Sequence, residues 1–230
     1  MFIPLYDHNE RVHIPFPIVN LSIITANLAI FFFYQGMGES RAVGASSYSF
    51  GLIPAVFFDL RDLAPQLQML PEWASLLTYA FFHGSLMHLA GNMLFLWVFG
   101  DNVEDALGHV RYLLFYAICA AAGGLAYALV DVSSDVPLIG ASGAVSGVVA
   151  AYLMLHPRVK VWVLVLGRIP LRLRAIWLLG AWVVYQVVNM ILSADSQVAF
   201  VAHVGGLAAG ALLVVFMRRK GVVLFDRDAV

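Results

Sequence analysis

The stretch Gly140-Ala141-Ser142-Gly143-Ala144-Val145-Ser146-Gly147 lies near the start of an apolar run, residues 138–155. A serine among small residues at the head of a membrane-length helix has two readings. It is either part of a close helix contact or an accessible nucleophile. Gly140 and Gly143 leave the backbone around Ser142 open. The first turn of a helix also offers unpaired N–H groups and a positive dipole end to a developing anion. Two other apolar stretches weigh on the choice. One contains His83, His88 and Asn92, and the other contains Ala202-His203-Val204-Gly205-Gly206. A serine hydroxyl is a weak nucleophile until a base takes its proton, and histidine is the usual base near neutral pH.

Composition sets the surroundings of these residues. The chain is 62% hydrophobic and 12% charged, with a mean hydropathy of +0.86. Soluble domains carry about a quarter charged residues, so the class is a polytopic membrane protein without a separate soluble domain. A net charge of −1 gives no basic field for nucleic acid. The single cysteine, Cys119, has no partner for an internal disulfide and reads as packing. The first 17 residues hold Arg11 as their only Lys or Arg and no apolar stretch of signal-peptide length. Neither a cleavable signal nor an organelle presequence is expected.

The expected fold is an all-α bundle of six transmembrane helices, at residues 18–34, 81–100, 112–130, 138–155, 175–192 and 198–217. Residues 1–17 form a polar lead, 18–217 the membrane domain and 218–230 a basic tail. Asn20 and Asn27 are expected to bond between helices. The long segment 36–77 mixes charges with short apolar groups and reads as an outer loop containing interfacial helices. Val161 to Leu166 and Ile169 to Leu173 read as a small hairpin around Gly167-Arg168. Eleven of the thirteen Lys and Arg residues fall on the side that carries both termini. The positive-inside rule therefore makes both ends cytoplasmic.

Ser142, His203, His88 and Asn92 then all follow outer loops and share one depth. Gly143 and Gly147, and likewise Gly206 and Gly210, are spaced four apart, which lets two helix backbones approach closely. That approach brings Ser142 near His203. His88 and Asn92 share a helical face and both can donate to an oxyanion. No Asp or Glu lies inside these runs, and a buried carboxylate is costly at membrane depth. The expectation is a Ser–His dyad without a third acid, in a cavity opening outward to admit water. Ser146, one turn on, is the second candidate nucleophile. A metal site built from His83, His88 and His203 is the weaker alternative, since no His-Glu-x-x-His pattern is present. Glu104 reads as a hydrogen-bonding strut.

Taken in order, these motifs resemble the rhomboid family of intramembrane serine proteases over roughly residues 78–210. The resemblance implies a six-helix core that cuts transmembrane substrates within the lipid bilayer. Position by position it makes Ser142 the nucleophile, His203 the general base, and His88 and Asn92 the oxyanion stabilisers. His83 and Gly140 are supporting residues. It implies no metal and no organic cofactor. The first outer loop and the helix bearing Trp177 and Trp182 become the substrate entry elements. A bacterial inner-membrane location also follows, while the oligomeric state stays open. Two departures stand out. Many members place an aromatic residue four after the nucleophile, where this chain has Ser146. Many carry a Trp-Arg pair in the first outer loop, where this chain has Trp73-Ala74. An inactive rhomboid-like binding protein and a small transporter are the competing readings. The first would lack the serine or the histidine, and the second would show an internal repeat.

Overall fold

The computed structural model describes residues 2–165, 167–192 and 199–225. The chain begins with strand β1 (Phe2–Asp7), followed by α1 (Ile18–Ala29), which runs on as a π-helical segment, Ile30–Tyr34. Three short helices follow: α2 (Ser40–Phe50), α3 (Pro54–Phe57) and α4 (Ser75–Thr78). Next come α5 (Leu86–Phe95), a π segment Leu96–Gly100, and α6 (Asp101–Leu107). The second half holds α7 (His109–Val130), α8 (Ser142–Leu155), strands β2 (Lys160–Val165) and β3 (Ile169–Arg174), then α9 (Ala175–Leu192) and α10 (Phe200–Met217).

The protein is thus mostly helical, and among the described residues α7, α9 and α10 are by themselves long and apolar enough to cross a membrane. Residues 18–34 and α8 form shorter apolar helices. The all-α expectation needs one correction. A three-stranded antiparallel sheet, ordered β1-β2-β3, sits before α9. Its β2–β3 arm is the expected hairpin, pairing Lys160 with Arg174 through Val165 with Ile169; Leu166 lies outside the described residues. The third strand comes from what reads as a polar lead. Phe2 to Asp7 pairs with Val165 to Val161, with an irregularity between Pro4 and Tyr6. Edge pairing with a β-branched strand outweighs the weak local signal of a segment containing Pro4.

Helix α8 forms the centre, with nearly all its residues from Gly143 to Leu155 buried. Glycines decide how closely α10 approaches it. A Cβ at Gly206 would overlap the Gly143 carbonyl, and one at Gly210 would overlap the Gly147 backbone. On its other side Gly147 abuts the Cys119 sulfur of α7, so the lone cysteine is a packing residue. The close approach expected from the two glycine pairs is present.

Polar residues fasten the end of the bundle opposite the head of α8. Glu104 is fully buried and accepts from the Val19 and Asn20 amides at 3.0 and 2.7 Å. A carboxylate remote in sequence thereby caps the otherwise uncapped start of α1. His109 Nδ1 lies 2.5 Å from the same carboxylate, completing the strut. Asp105 accepts from the Val12, His13 and Ile14 amides. Burial alone would raise its carboxyl, but these bonds and the His13 ring outweigh that and hold it below the ordinary carboxylate value. Asn20 bonds between helices as expected, donating to Leu96 O and accepting from the Tyr112 hydroxyl. Asn27 does not: it donates to Ile23 O within its own helix, and its side-chain oxygen has no partner.

Candidate active site

Ser142 is the first residue of α8, and the Val145 amide is the first to bond back, to Ala141 O at 2.9 Å. The Ser142, Gly143 and Ala144 amides therefore lack partners in the helix ladder. The preceding Gly140 has φ +121°, and a Cβ there would meet the His88 imidazole. Only glycine satisfies both conditions. The loop entering α8 is fixed from two directions. The Gly140 amide donates to Tyr79 O at 2.9 Å, and Leu138 exchanges two backbone bonds with Leu52 of the long loop. The serine thus rests on a braced turn.

Across the glycine seam, His203 Nε2 lies 2.8 Å from Ser142 Oγ. On the far side of the ring, His203 Nδ1 lies 2.8 Å from Gln186 Oε1 of α9. An amide oxygen only accepts, so Nδ1 carries the proton and the Nε2 lone pair faces the serine. Two rings hold the imidazole plane. Trp182 stacks on it at 6.4 Å and 26°, and Phe200 meets it edge-on at 6.1 Å. The ring partner absent at position 146 is therefore replaced from α9. Ser146 itself is fully buried and donates to Ser142 O at 2.6 Å. Its proton is engaged and it does not line the cavity.

His88 and Asn92 line the same cavity of about 870 Å³ as Ser142 and His203. Ser85 caps α5 by accepting from the His88 amide at 3.2 Å, which fixes where that helix begins. His83 is fully buried behind the site. Its Nε2 lies 3.0 Å from Asn92 Nδ2 and accepts a longer contact, 3.4 Å, from the Ala141 amide. Gln35 in turn clamps the His83 backbone, accepting from its amide and donating to its carbonyl. His83 is a support for Asn92 and the Ser142 turn. Among the described residues no three metal-ligating side chains converge.

The structure therefore brings together all four central residues that the sequence nominates, with His83 and Gly140 behind them. Sequence reasoning missed Gln186 and Gln35. Each had a signal, a polar amide in or beside an apolar run, where such groups are costly and often functional.

A helical membrane protein with a partly buried Ser–His pair at a helix head, facing an open cavity, defines a class. Comparison supplies the family. The Rhomboid domain matches residues 70–220, and the chain belongs to the rhomboid family, whose members are in general intramembrane serine proteases. The chain is 42% identical over 82 residues to Rhomboid protease GluP of Bacillus subtilis, covering 36% of this chain and 16% of that protein. It is 35% identical over 91 residues to Rhomboid protein 1, mitochondrial, of Saccharomyces cerevisiae (38% and 26%). It is 29% identical over 154 residues to RHOMBOID-like protein 12, mitochondrial, of Arabidopsis thaliana (60% and 44%). The matches thus span less than half the length of each of these relatives. Family and apolar helices together make the protein an integral membrane protein.

Proposed function

We propose that the chain is an intramembrane serine endopeptidase that cleaves transmembrane protein substrates within the bilayer. The observation that carries this reading is the 2.8 Å contact between His203 Nε2 and Ser142 Oγ at the wall of an open cavity. In the reaction, Nε2 takes the Ser142 proton as Oγ bonds to the scissile carbonyl carbon. The negative charge moves to the carbonyl oxygen. It is met there by the free N–H groups at the head of α8 and by donors from His88 and Asn92. The C–N bond then breaks, and the leaving amine takes the proton from Nε2. Water, activated by the same imidazole, hydrolyses the acyl-serine. Serine, histidine and water suffice for these steps, and no cofactor is invoked.

Six spans with both termini cytoplasmic complete the proposal, supported by the six apolar runs and the eleven cationic residues on one side. Residues 1–17 and 218–230 then flank the membrane domain on the inside. The site opens to the outer side of a bacterial inner membrane.

The test is labelling of purified protein in detergent with a fluorophosphonate, beside cleavage of a model transmembrane substrate. Ser142→Ala and His203→Ala are expected to abolish both signals, and Ser146→Ala is expected to keep both. A folded wild type that neither labels nor cleaves would sink the protease reading in favour of a rhomboid-like binding protein.

A further inference from the structure

The imidazole of His203 has two ring nitrogens, and only one faces Ser142. The other is held by Gln186, which is 3% exposed and accepts at 2.8 Å. One turn earlier on the same face of α9, Trp182 stacks on the ring. Helix α8 contributes no ring, since the residue one turn below Ser142 is Ser146, whose hydroxyl is spent on Ser142 O. Among the described residues, the titratable side chains facing the site are Ser142 on α8, His88 on α5, Tyr127 on α7 and Tyr185 on α9, and the cavity lining includes no Asp or Glu.

We infer that Gln186 is the positioning residue for the proposed base. It accepts a hydrogen bond from Nδ1–H, so that His203 presents an unprotonated Nε2 to Ser142. This rests on the reading of Ser142 and His203 as nucleophile and base. A carboxylate in that place would also stabilise the imidazolium formed during the reaction, but it would carry a charge into a desolvated site. A neutral amide keeps the orientation and avoids the charge. Placing Gln186 and Trp182 on one helix has a consequence. The base is oriented only while α9 is seated against the site, so any displacement of α9 that admits a substrate also releases the base until α9 returns.

The experiment compares wild type, Gln186→Leu, Gln186→Glu and Ser142→Ala in detergent. It measures fluorophosphonate labelling rates from pH 5 to 9, and kcat and KM on a model transmembrane substrate. Gln186→Leu is expected to lower kcat and the labelling rate ~10–100-fold with KM within about twofold, because the wrong tautomer becomes available. Gln186→Glu is expected to restore most of the rate. It should also move the acid limb of the profile to higher pH by about one unit, since a carboxylate raises the pKa of the imidazole it touches.

A merely structural glutamine would leave the pH profile in place. A folded Gln186→Leu variant with wild-type rates, or an acid limb unmoved in Gln186→Glu, overturns the inference while an inert Ser142→Ala leaves the protease reading standing. If Gln186→Leu does not fold, the near-isosteric Gln186→Glu limb decides alone. Wild-type labelling in Ser142→Ala would overturn both readings together.

Discussion

Helices α8 and α10 meet through backbone, whereas α9 rests on the site through side chains. In the first contact Gly206 lies on the Gly143 carbonyl and Gly210 on Gly147, with no room for a methyl group. In the second, Trp182 and Gln186 reach His203, while a Cβ at Gly180 would meet nothing within 4 Å. Burial differs to match. Only 22% of the apolar window of α9 is buried, against 39% in both α7 and α10. Backbone contact fixes the serine-to-histidine distance, because tightly packed backbones have no rotamers to change. Side-chain contact fixes the tautomer and tilt of the histidine. The Ser142–His203 pair is thus held by a backbone seam on one side and by side chains of a less buried helix on the other.

The sharpest break of this comparison is a methyl group in the seam. Gly206→Ala drives a Cβ into the Gly143 carbonyl and is expected to cost about 3 kcal/mol or more. Scanning fluorimetry in detergent should show a large fall in unfolding midpoint, with labelling lost in proportion to folded protein. An unchanged midpoint would mean that the helices pack less closely than described.

The next effect lies at the cavity wall facing the seam. Asn92→Ala is expected to lower kcat about 10²–10³-fold if its amide donates to the oxyanion. The unfolding midpoint should move little, because His83 keeps its contact to the Ala141 amide. A fall in stability with kcat retained would instead make Asn92 a strut for His83.

A third test concerns the end where α8 and the sheet leading into α9 are tied together. Asp7 of β1 accepts from the Tyr152 hydroxyl of α8 at 2.5 Å. Burial, aided by the nearby Asp101 and opposed by the Tyr152 bond, pushes its carboxyl from 3.8 up to about 7. The folded state therefore holds this proton more tightly than the unfolded chain does. The resulting stability is fully present below about pH 4 and is lost as pH rises through 7. The bound is about 1.4 kcal/mol per pKa unit. Unfolding midpoints of wild type should decline between pH 4.5 and 8 relative to Asp7→Asn, in which this contribution is absent. Parallel profiles would dissociate Asp7 from the stability of the bundle.

The smallest effect is the control for the first. Gly180→Ala makes the same chemical change on α9 in open space and is expected to shift stability by less than about 1 kcal/mol in the stabilising direction. A loss comparable to that of Gly206→Ala would erase the distinction between backbone seam and side-chain contact.

Much of the site was legible before folding. The three motifs, their shared depth and the two glycine pairs were sufficient to bring Ser142 to His203. They placed Glu104 in a strut, although not as the cap of α1. The glycine signal worked because a missing side chain reports directly on backbone distance. Polar residues in apolar runs were less readable. Asn20 and Asn27 carry the same signal, yet only Asn20 crosses to another helix. They are seven positions apart, so the local pattern gives both nearly the same face, and the difference lies in what stands opposite.

By itself the sequence determined that this is a membrane protein and which four residues meet at one cavity, because hydropathy and motif spacing are local quantities. The tertiary structure alone decided that Gln186 holds the histidine, that Trp182 replaces the ring missing at position 146, and that β1 joins the sheet. A helix such as α9, apolar nearly all round, has no stripe to announce which face turns inward. Its rotation is set by partners distant in the chain, and the identity of the residue behind His203 follows from that rotation.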